Sequence, residues 1–517
     1  MSRRMTVYDI TRGIDEYRHG LSDERYESSL TFADLPAKLM IKVFSYLSHS
    51  ELCRICLVSK RWRELAYDSR LWTNLRLRPE FGGLSVSNVS QFVDLIGSRF
   101  STALRSIDLP CELITVPVLE EIARQCVNLR YMTLDFSKAM QLHDYNDLVD
   151  FPANLYYLCV CLSDVIFMEG LMRKIYHCLS TVQVLHLIGT FEQSSEEEEE
   201  IYEVINISKI KAHTPNLRVV NLYGVMFVDD SHVELLSFNC VHLECVALNF
   251  CIKVTGSSLK NLLEKCKKIK TLLLHHCELV DAHMMAVDWE HSHVKELDIT
   301  STELSANCLE NVLTRIRSLE YLAVGYCDFF TDAVMEKLME TGNLRELRAI
   351  DISYTCNLSE PVIGKFIKRY GPQLLGLMLH GKPLLNEFFW TANIPLLKNI
   401  KICTLGQRDG WYFELNTKVH IDQVINAFAS HCPKMERLEI QWDVATIRFS
   451  HKSGKFIDDI RTRCPFLQSL TLADGGYYEM ANSNFERAQR SRVVRTFNRY
   501  ATSIVQLLSC YGDLLFN

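Results

Sequence analysis

Two clusters in this sequence hold residue types that carry chemistry at metals or thiols. Cys53-Arg-Ile-Cys56 has the C-x-x-C spacing used by redox and zinc sites. His275-His276-Cys277 places three metal-ligand types side by side. A zinc site needs four converging ligands, and the surroundings of both clusters argue against one. Cys53 and Cys56 lie in a helical pattern with no second pair nearby. Cys277 falls on a turn position that recurs along the chain, and His275 alternates out from the strand before it. No P-loop, H-E-x-x-H or nucleophile-elbow pattern is present, and no nucleophile stands beside a base. The expectation is a non-catalytic protein that needs no metal and no cofactor.

The elements that hold these residues repeat. Leu243-Glu-Cys-Val246-Ala-Leu248-Asn-Phe-Cys251 is copied at Ile269 to Cys277 and again at Leu319 to Cys327. The same L-x-x-L-x-L shape starts at Leu104, Leu129, Leu155, Val182, Leu217, Val294, Leu347, Leu374, Leu397, Met435 and Leu467, which makes about fourteen units. Their usual spacing of ~25–27 residues is that of leucine-rich repeats. Within L-x-L the apolar residues face one side of a strand and the middle residue the other. The period then becomes helical, as in Val233, Leu236 and Cys240. Asp230, Thr255, Thr331 and Ser359 precede these stripes as candidate caps. One such unit cannot bury its apolar faces alone, and stacking supplies the missing neighbour. The predicted fold is α/β: a right-handed solenoid over 79–472, with parallel strands on the concave face and helices on the convex face. Insertions are expected near 191–207 and 403–420, and residues 473–517 form either a polar cap or a basic contact surface. Cysteines recur at two fixed offsets from the strands, where a small apolar side chain suits a buried turn.

Composition agrees with a protein-binding role. The 517 residues carry 56 Lys and Arg against 63 Asp and Glu, a net charge of −7, which argues against nucleic acid as the main partner. The apolar stretch from Phe151 to Met168 is broken by Pro152, Asn154 and Asp164, so no membrane span is expected. Met1 to Arg18 lacks the apolar core of a secretory signal, and the 19 cysteines read as free thiols in a cytoplasmic or nuclear setting. Residues 1–31 read as a flexible tail. The run Ser194 to Glu200 is either a solvated spacer or a phosphorylatable contact. Trp411 and Tyr412 either pack back on the solenoid or meet a partner. Residues at the strand ends, Tyr223, Asn249, Phe250, His275, Tyr326, Tyr354 and Trp442, are the candidate client contacts. They are either interface anchors or a stacked ladder along the edge.

Residues 32–78 break from the repeat. Leu39, Val43, Phe44 and Leu47 make one helical stripe, and Leu52, Ile55 and Val58 begin another. A unit this small is marginal alone. The sequence Leu35-Pro36, then Val43-Phe44-Ser-Tyr-Leu47, Leu52-Cys-Arg, Val58, Trp62 and Leu71-Trp72 closely resembles an F-box, with Ser59 in place of the family's usual cysteine. The whole resembles the F-box/leucine-rich-repeat family of the cysteine-containing repeat subclass. That resemblance implies a small all-α module that binds a Skp-type adaptor through Leu35, Pro36, Val43, Phe44, Leu47, Leu52, Val58 and Trp62. The adaptor bridges to a cullin scaffold and a RING subunit, and the solenoid grips a protein client for ubiquitination by a separate conjugating enzyme. The alternative is a cytosolic scaffold or inhibitor that uses the solenoid without ubiquitin.

Overall fold

The computed structural model describes residues 35–78, 84–136, 145–162, 169–189, 210, 212–382, 385–406, 419–441, 447–448, 459–460, 462–467 and 469–472. The chain divides into two compact units between Leu71 and Trp72.

The first unit holds three short helices, α1 (Ala37–Phe44), α2 (His49–Ile55) and α3 (Lys60–Ala66). Each starts where the sequence supplies a reason. Pro36 precedes α1 with its φ already suited to a helix entry. Ser48 and Glu51 close a reciprocal capping box at α2: the Glu51 N–H donates to Ser48 Oγ (3.2 Å) and the Ser48 N–H to Glu51 Oε2 (2.8 Å). Ser59 caps α3 by accepting the Trp62 N–H at 3.1 Å. Met40, Phe44, Leu52, Cys56 and Ala66 are buried. Phe44 packs on Trp62 with ring centroids 5.6 Å apart.

The second unit is built on a ladder of fifteen parallel strands in sequence order. They are β1 (Asn74–Arg76), β2 (Ser106–Pro110), β3 (Tyr131–Asp135), β4 (Tyr157–Cys161), β5 (Val184–Ile188), β6 (Val219–Asn221), β7 (Cys245–Ala247), β8 (Thr271–Leu273), β9 (Glu296–Asp298), β10 (Tyr321–Ala323), β11 (Ala349–Asp351), β12 (Gly376–His380) and β13 (Ile402–Gly406), followed by Arg437–Gln441 and Ser469–Leu472. Two further short strands, Val419–His420 and Ile447–Arg448, pair with each other outside the ladder. The register has no shift. Leu322 stands between Leu297 and Ile350, so like positions of successive repeats stack. Leu217, Leu243, Ile269, Val294, Leu319, Leu347 and Leu374 form one such column, and all are buried. Each adds about 1.5–3 kcal/mol of apolar burial that an isolated repeat would forfeit. Helices return the chain between strands, and neighbours such as Ala306–Arg315 and Asp332–Thr341 lie side by side.

The recurrent cysteines bind each repeat to the one before. Cys251, Cys277 and Cys327 donate to the carbonyls of Leu222, Leu248 and Ile299, each at 3.1 Å. A second series, Cys266 and Cys464, reaches the carbonyls of Cys240 (3.5 Å) and Cys432 (3.3 Å). Burial pushes the Cys327 and Cys266 thiols up to about 11, which keeps them protonated as donors. Carboxylates do the same work on the helix side. Asp230 accepts the N–H groups of Thr255 (2.7 Å), Gly256 and Ser258 (both 3.1 Å) in the next repeat.

Three expectations need correction. The ladder begins inside 32–78, because Asn74–Arg76 already pairs with β2, and Trp72 stands where later repeats place leucine. β13 takes in residues 402–406, so the break in the repeat starts after Gly406 and not at 403. Asp230 and Thr255 are not caps: Asp229 caps the helix Asp230–Asn239, and Ser258 precedes Leu259–Lys265. Residues 1–31, Ser194 to Glu200, Trp411, Tyr412, Trp442 and 473–517 lie outside the described residues.

Candidate protein-interaction surfaces

In the first unit the helices bury one set of apolar residues and leave another in solvent. α1 turns Met40 and Phe44 inward, four residues apart. Leu39 (52% exposed), Val43 (37%) and Tyr46 (73%) follow a second stripe that remains exposed among the described residues. After α2 the chain presents Leu57 (81%) and Val58 (62%). With Tyr67 (43%), the described residues of this small unit expose six large apolar or aromatic side chains, a surface of the kind that a partner buries. Pro36 is also exposed, while Leu35, Leu47 and Trp62 are half-buried. Arg61 donates to the Leu35 carbonyl at 2.8 Å and ties the entry of α1 to α3.

In the second unit the outward strand face changes character along the ladder. From β4 to β8 it is mainly apolar, with His186, Asn221 and Thr271 interspersed: Tyr157, Cys159, Cys161, Val184, Val219, Tyr223, Cys245 and Leu273 form one buried cluster. From β9 it turns polar, with Glu296, Asp298, Thr300, Asp351, Ser353 and His380 all buried. Asp298 Oδ1 accepts the Thr300 N–H and Asp351 Oδ1 accepts the Ser353 N–H, each at 2.9 Å. Burial pushes Asp298 up to about 7 and Asp351 up to about 6, with the nearby Asp351 charge adding to the rise at Asp298. His275 moves the other way, down to about 3, because burial disfavours its charged form and His276 adds repulsion.

The turns that leave the strands share one backbone feature. Gly224, Phe250, His276, Ser301, Tyr326, Tyr354 and Gly381 all have φ between 55° and 68°, the left-handed region. Each donates its N–H to a carbonyl of the next repeat, as Tyr326 does to Ser353 and Tyr354 to His380, both at 2.8 Å. The ladder thus enforces this conformation, and glycine is the residue that accepts it without strain. Four of the seven positions nevertheless hold an aromatic or histidine ring, at roughly 1 kcal/mol or more each. The Tyr326 and Tyr354 rings stack at 4.4 Å and 14°. Gly381 lies so close to Tyr354 that an added Cβ would sit 2.1 Å from the ring.

The strand-end candidates therefore divide. Tyr223, Asn249 and His275 are buried and are corrected from client contacts to packed residues. Parallel strands about 4.8 Å apart leave little room between side chains, and each of these is flanked on both sides. Phe250 and Tyr354 are half-buried, and Tyr326 is 42% exposed. Phe250 packs in tilted contacts against His275 (4.6 Å) and Tyr223 (5.3 Å), so the row is in part an edge ladder of rings. Among the described residues no group of three His, Cys, Asp or Glu is placed to hold a metal ion, and no helix is long and apolar enough to cross a membrane.

Against known families, residues 32–78 match the F-box-like model. This stretch is an F-box-like domain. F-box/LRR-repeat protein 5 of Bos taurus is 43% identical over 49 residues, and that of Xenopus tropicalis 39% over 49. Each alignment covers 10% of this chain and only 7% of the relative. A solved structure of the Rad7 and Elc1 complex in yeast aligns with a TM-score of 0.38 at 15% identity, over 79% of this chain and 96% of that one. The leucine-rich-repeat assignment stands on the fifteen parallel strands and their stacked leucines. The chain thus joins an F-box-like domain to a leucine-rich-repeat array.

Within the F-box-like domain the eight residues singled out for an adaptor do not share one environment. Pro36, Val43 and Val58 are exposed, and Leu35, Leu47 and Trp62 are partly so. Phe44 and Leu52, each 1% exposed, are corrected to core. Leu39, Tyr46 and Leu57 were not among the eight, though Leu39 and Tyr46 follow from helical spacing on either side of Val43. Ser59, the departure from the family pattern, caps α3 with its hydroxyl.

Proposed function

We propose that this chain is a substrate-recognition subunit of an SCF-type ubiquitin ligase, with no catalytic chemistry of its own. The F-box-like domain docks on a Skp-type adaptor, which links it to a cullin and a RING subunit. The repeat array holds a client protein. Tethering the client near a charged conjugating enzyme raises the effective concentration of its lysines, and rate follows from proximity. The observation that carries this reading is the exposed apolar set Leu39, Val43, Tyr46, Leu57 and Val58 on an F-box-like domain. F-box domains bind Skp1-type adaptors, and a uniformly apolar set in solvent is costly unless a partner covers it. The test is size-exclusion chromatography of the full chain mixed with recombinant Skp-type adaptor. A single complex is expected, and separate elution of the two proteins at micromolar concentration would sink the assignment.

A further inference from the structure

The two edges of the strand ladder differ in charge. At the edge where the strands begin, carboxylates are matched by cations. Glu244 pairs with Arg218 (2.6 Å) and Lys270 (3.5 Å), and Glu320 with Lys295 (2.5 Å) and Arg348 (3.6 Å). At the edge where β8 to β11 end, the turns carry Glu278, Glu303 and Asp328, all exposed and in consecutive repeats. None of the three forms an ion pair among the described residues. No Lys or Arg occurs in 296–314 before the helix end, in 318–336, or in 349–364. The turn before that of Glu278 carries one exposed lysine, Lys253, while the paired cations of the first edge stand at the opposite ends of the strands.

Behind this acidic edge lies a buried carboxyl that is only half satisfied, its Oδ1 accepting the Thr300 N–H. Asp298 is fully buried, and its Oδ2 has no hydrogen-bond partner among the described residues. Its carboxyl and that of Asp351 flank Ala323 of β10, with Gly325 just beyond the strand, so the strip between the two carboxyls holds no large side chain; Tyr321, on the same face, lies toward the other edge. Gly325 is close-fitted: an added Cβ would stand 3.4 Å from Asp351 Oδ1 and from the Thr300 methyl. Over the end of this strip stands Tyr326, held in a backbone conformation that costs free energy for its side chain. Strain retained in favour of an exposed ring, next to unmatched carboxylates, is an arrangement suited to cations, which bind both aromatic faces and carboxylates.

We propose that the carboxy-terminal edge of β8–β11 docks a basic, lysine- or arginine-rich segment of a partner protein. Glu278, Glu303 and Asp328 meet its charges, and Tyr326, backed by Tyr354, stacks on one cationic side chain. This rests on the client-binding reading above and names the chemical class of the client.

The test uses the full chain and a fluorescein-labelled Arg-Gly repeat peptide, with binding read by anisotropy. The triple variant E278Q/E303Q/D328N should weaken binding about tenfold. The matched variant E264Q/E290Q/E340Q, with the same change in net charge on helix and return surfaces, should change it by less than about twofold. Tyr326→Gly should weaken binding without lowering the melting temperature, and Tyr326→Asn, which also suits left-handed backbone, checks the result if glycine loosens the turn. Equal losses in the two triple variants would reduce the effect to net charge and overturn the proposal. So would unchanged affinity in both Tyr326 variants. Changing Arg487, Arg490, Arg492, Arg495 and Arg499 to glutamine should leave peptide affinity as it is. A rise would identify this chain's own segment as the occupant and overturn the assignment to a partner. Adaptor co-elution, measured on the same samples, keeps the two readings apart: its loss counts against the ligase assignment and leaves the edge untouched.

Discussion

Replacing Leu57 and Val58 together by aspartate should separate folding of the F-box-like domain from binding by it. Leu57 is 81% and Val58 62% exposed, so folding buries only a minor part of each. At about 1.5–3 kcal/mol for full burial of such a side chain, each contributes below ~1 kcal/mol to the domain's own stability. Under an adaptor the balance reverses. The exposed fraction of both side chains becomes buried, for about 2–4 kcal/mol together. Aspartates in the same places would have to be desolvated without a partner, which costs a further few kcal/mol. The double variant should therefore melt within a few degrees of the parent while its adaptor Kd weakens by at least about 100-fold. Phe44→Ala provides the contrast. Phe44 is 1% exposed and packed on Trp62, so its truncation should cost about 3–5 kcal/mol in stability. Calorimetry and titration with purified adaptor read both quantities. If the aspartate variant melts as low as Phe44→Ala, or binds adaptor as the parent does, the division into inner and outer stripes is wrong.

Three further outcomes are expected. Gly381→Ala places a methyl against the Tyr354 ring on left-handed backbone and should cost about 2–4 kcal/mol, seen as a lower midpoint in urea. Asp298 holds its proton up to about 7 in the folded state, above the ordinary carboxyl value, so its cost to stability is absent below about pH 4, grows as pH rises and is complete above about pH 7. Asp298→Asn should therefore gain stability over the parent near pH 8, on the order of 2–4 kcal/mol, and little near pH 4; an equal gain at both would refute the assignment. Arg78, 5% exposed, pairs with Asp108 (2.6 Å) and Asp135 (2.8 Å), and Arg78→Ala should cost about 3–5 kcal/mol by leaving both carboxylates without their cation, as read by thermal unfolding.

The ladder was legible because leucines and their apolar substitutes recur at a near-constant interval, and from Leu104 to Met435 they are buried for the same reason. The first strand was not, because Trp72 stands in the leucine position and the stretch already fitted another pattern. In the F-box-like domain the periodicity of 3.6 gave the stripe Leu39, Val43, Phe44 and Leu47 but not which side of it faces inward. Val43 and Phe44 are neighbours in sequence and end in opposite environments. Alternation along the strands placed Tyr223, Asn249 and His275 on the outer face correctly. It carried no information on how tightly adjacent repeats would cover them. The left-handed turns were hidden too, since sequence announces that conformation through glycine and here rings occupy it.

The backward reach of the thiols gives the array a direction. Cys251, Cys277 and Cys327 each find their acceptor in a repeat that a ribosome has already made. A growing chain can settle unit upon unit, with none of these three sulfhydryls waiting for sequence yet to come. Cutting the array from its far end frees none of these thiols but leaves the turn N–H groups of the last repeat without the carbonyls ahead of them, whereas removing repeats from the front leaves a buried thiol with nothing to hold.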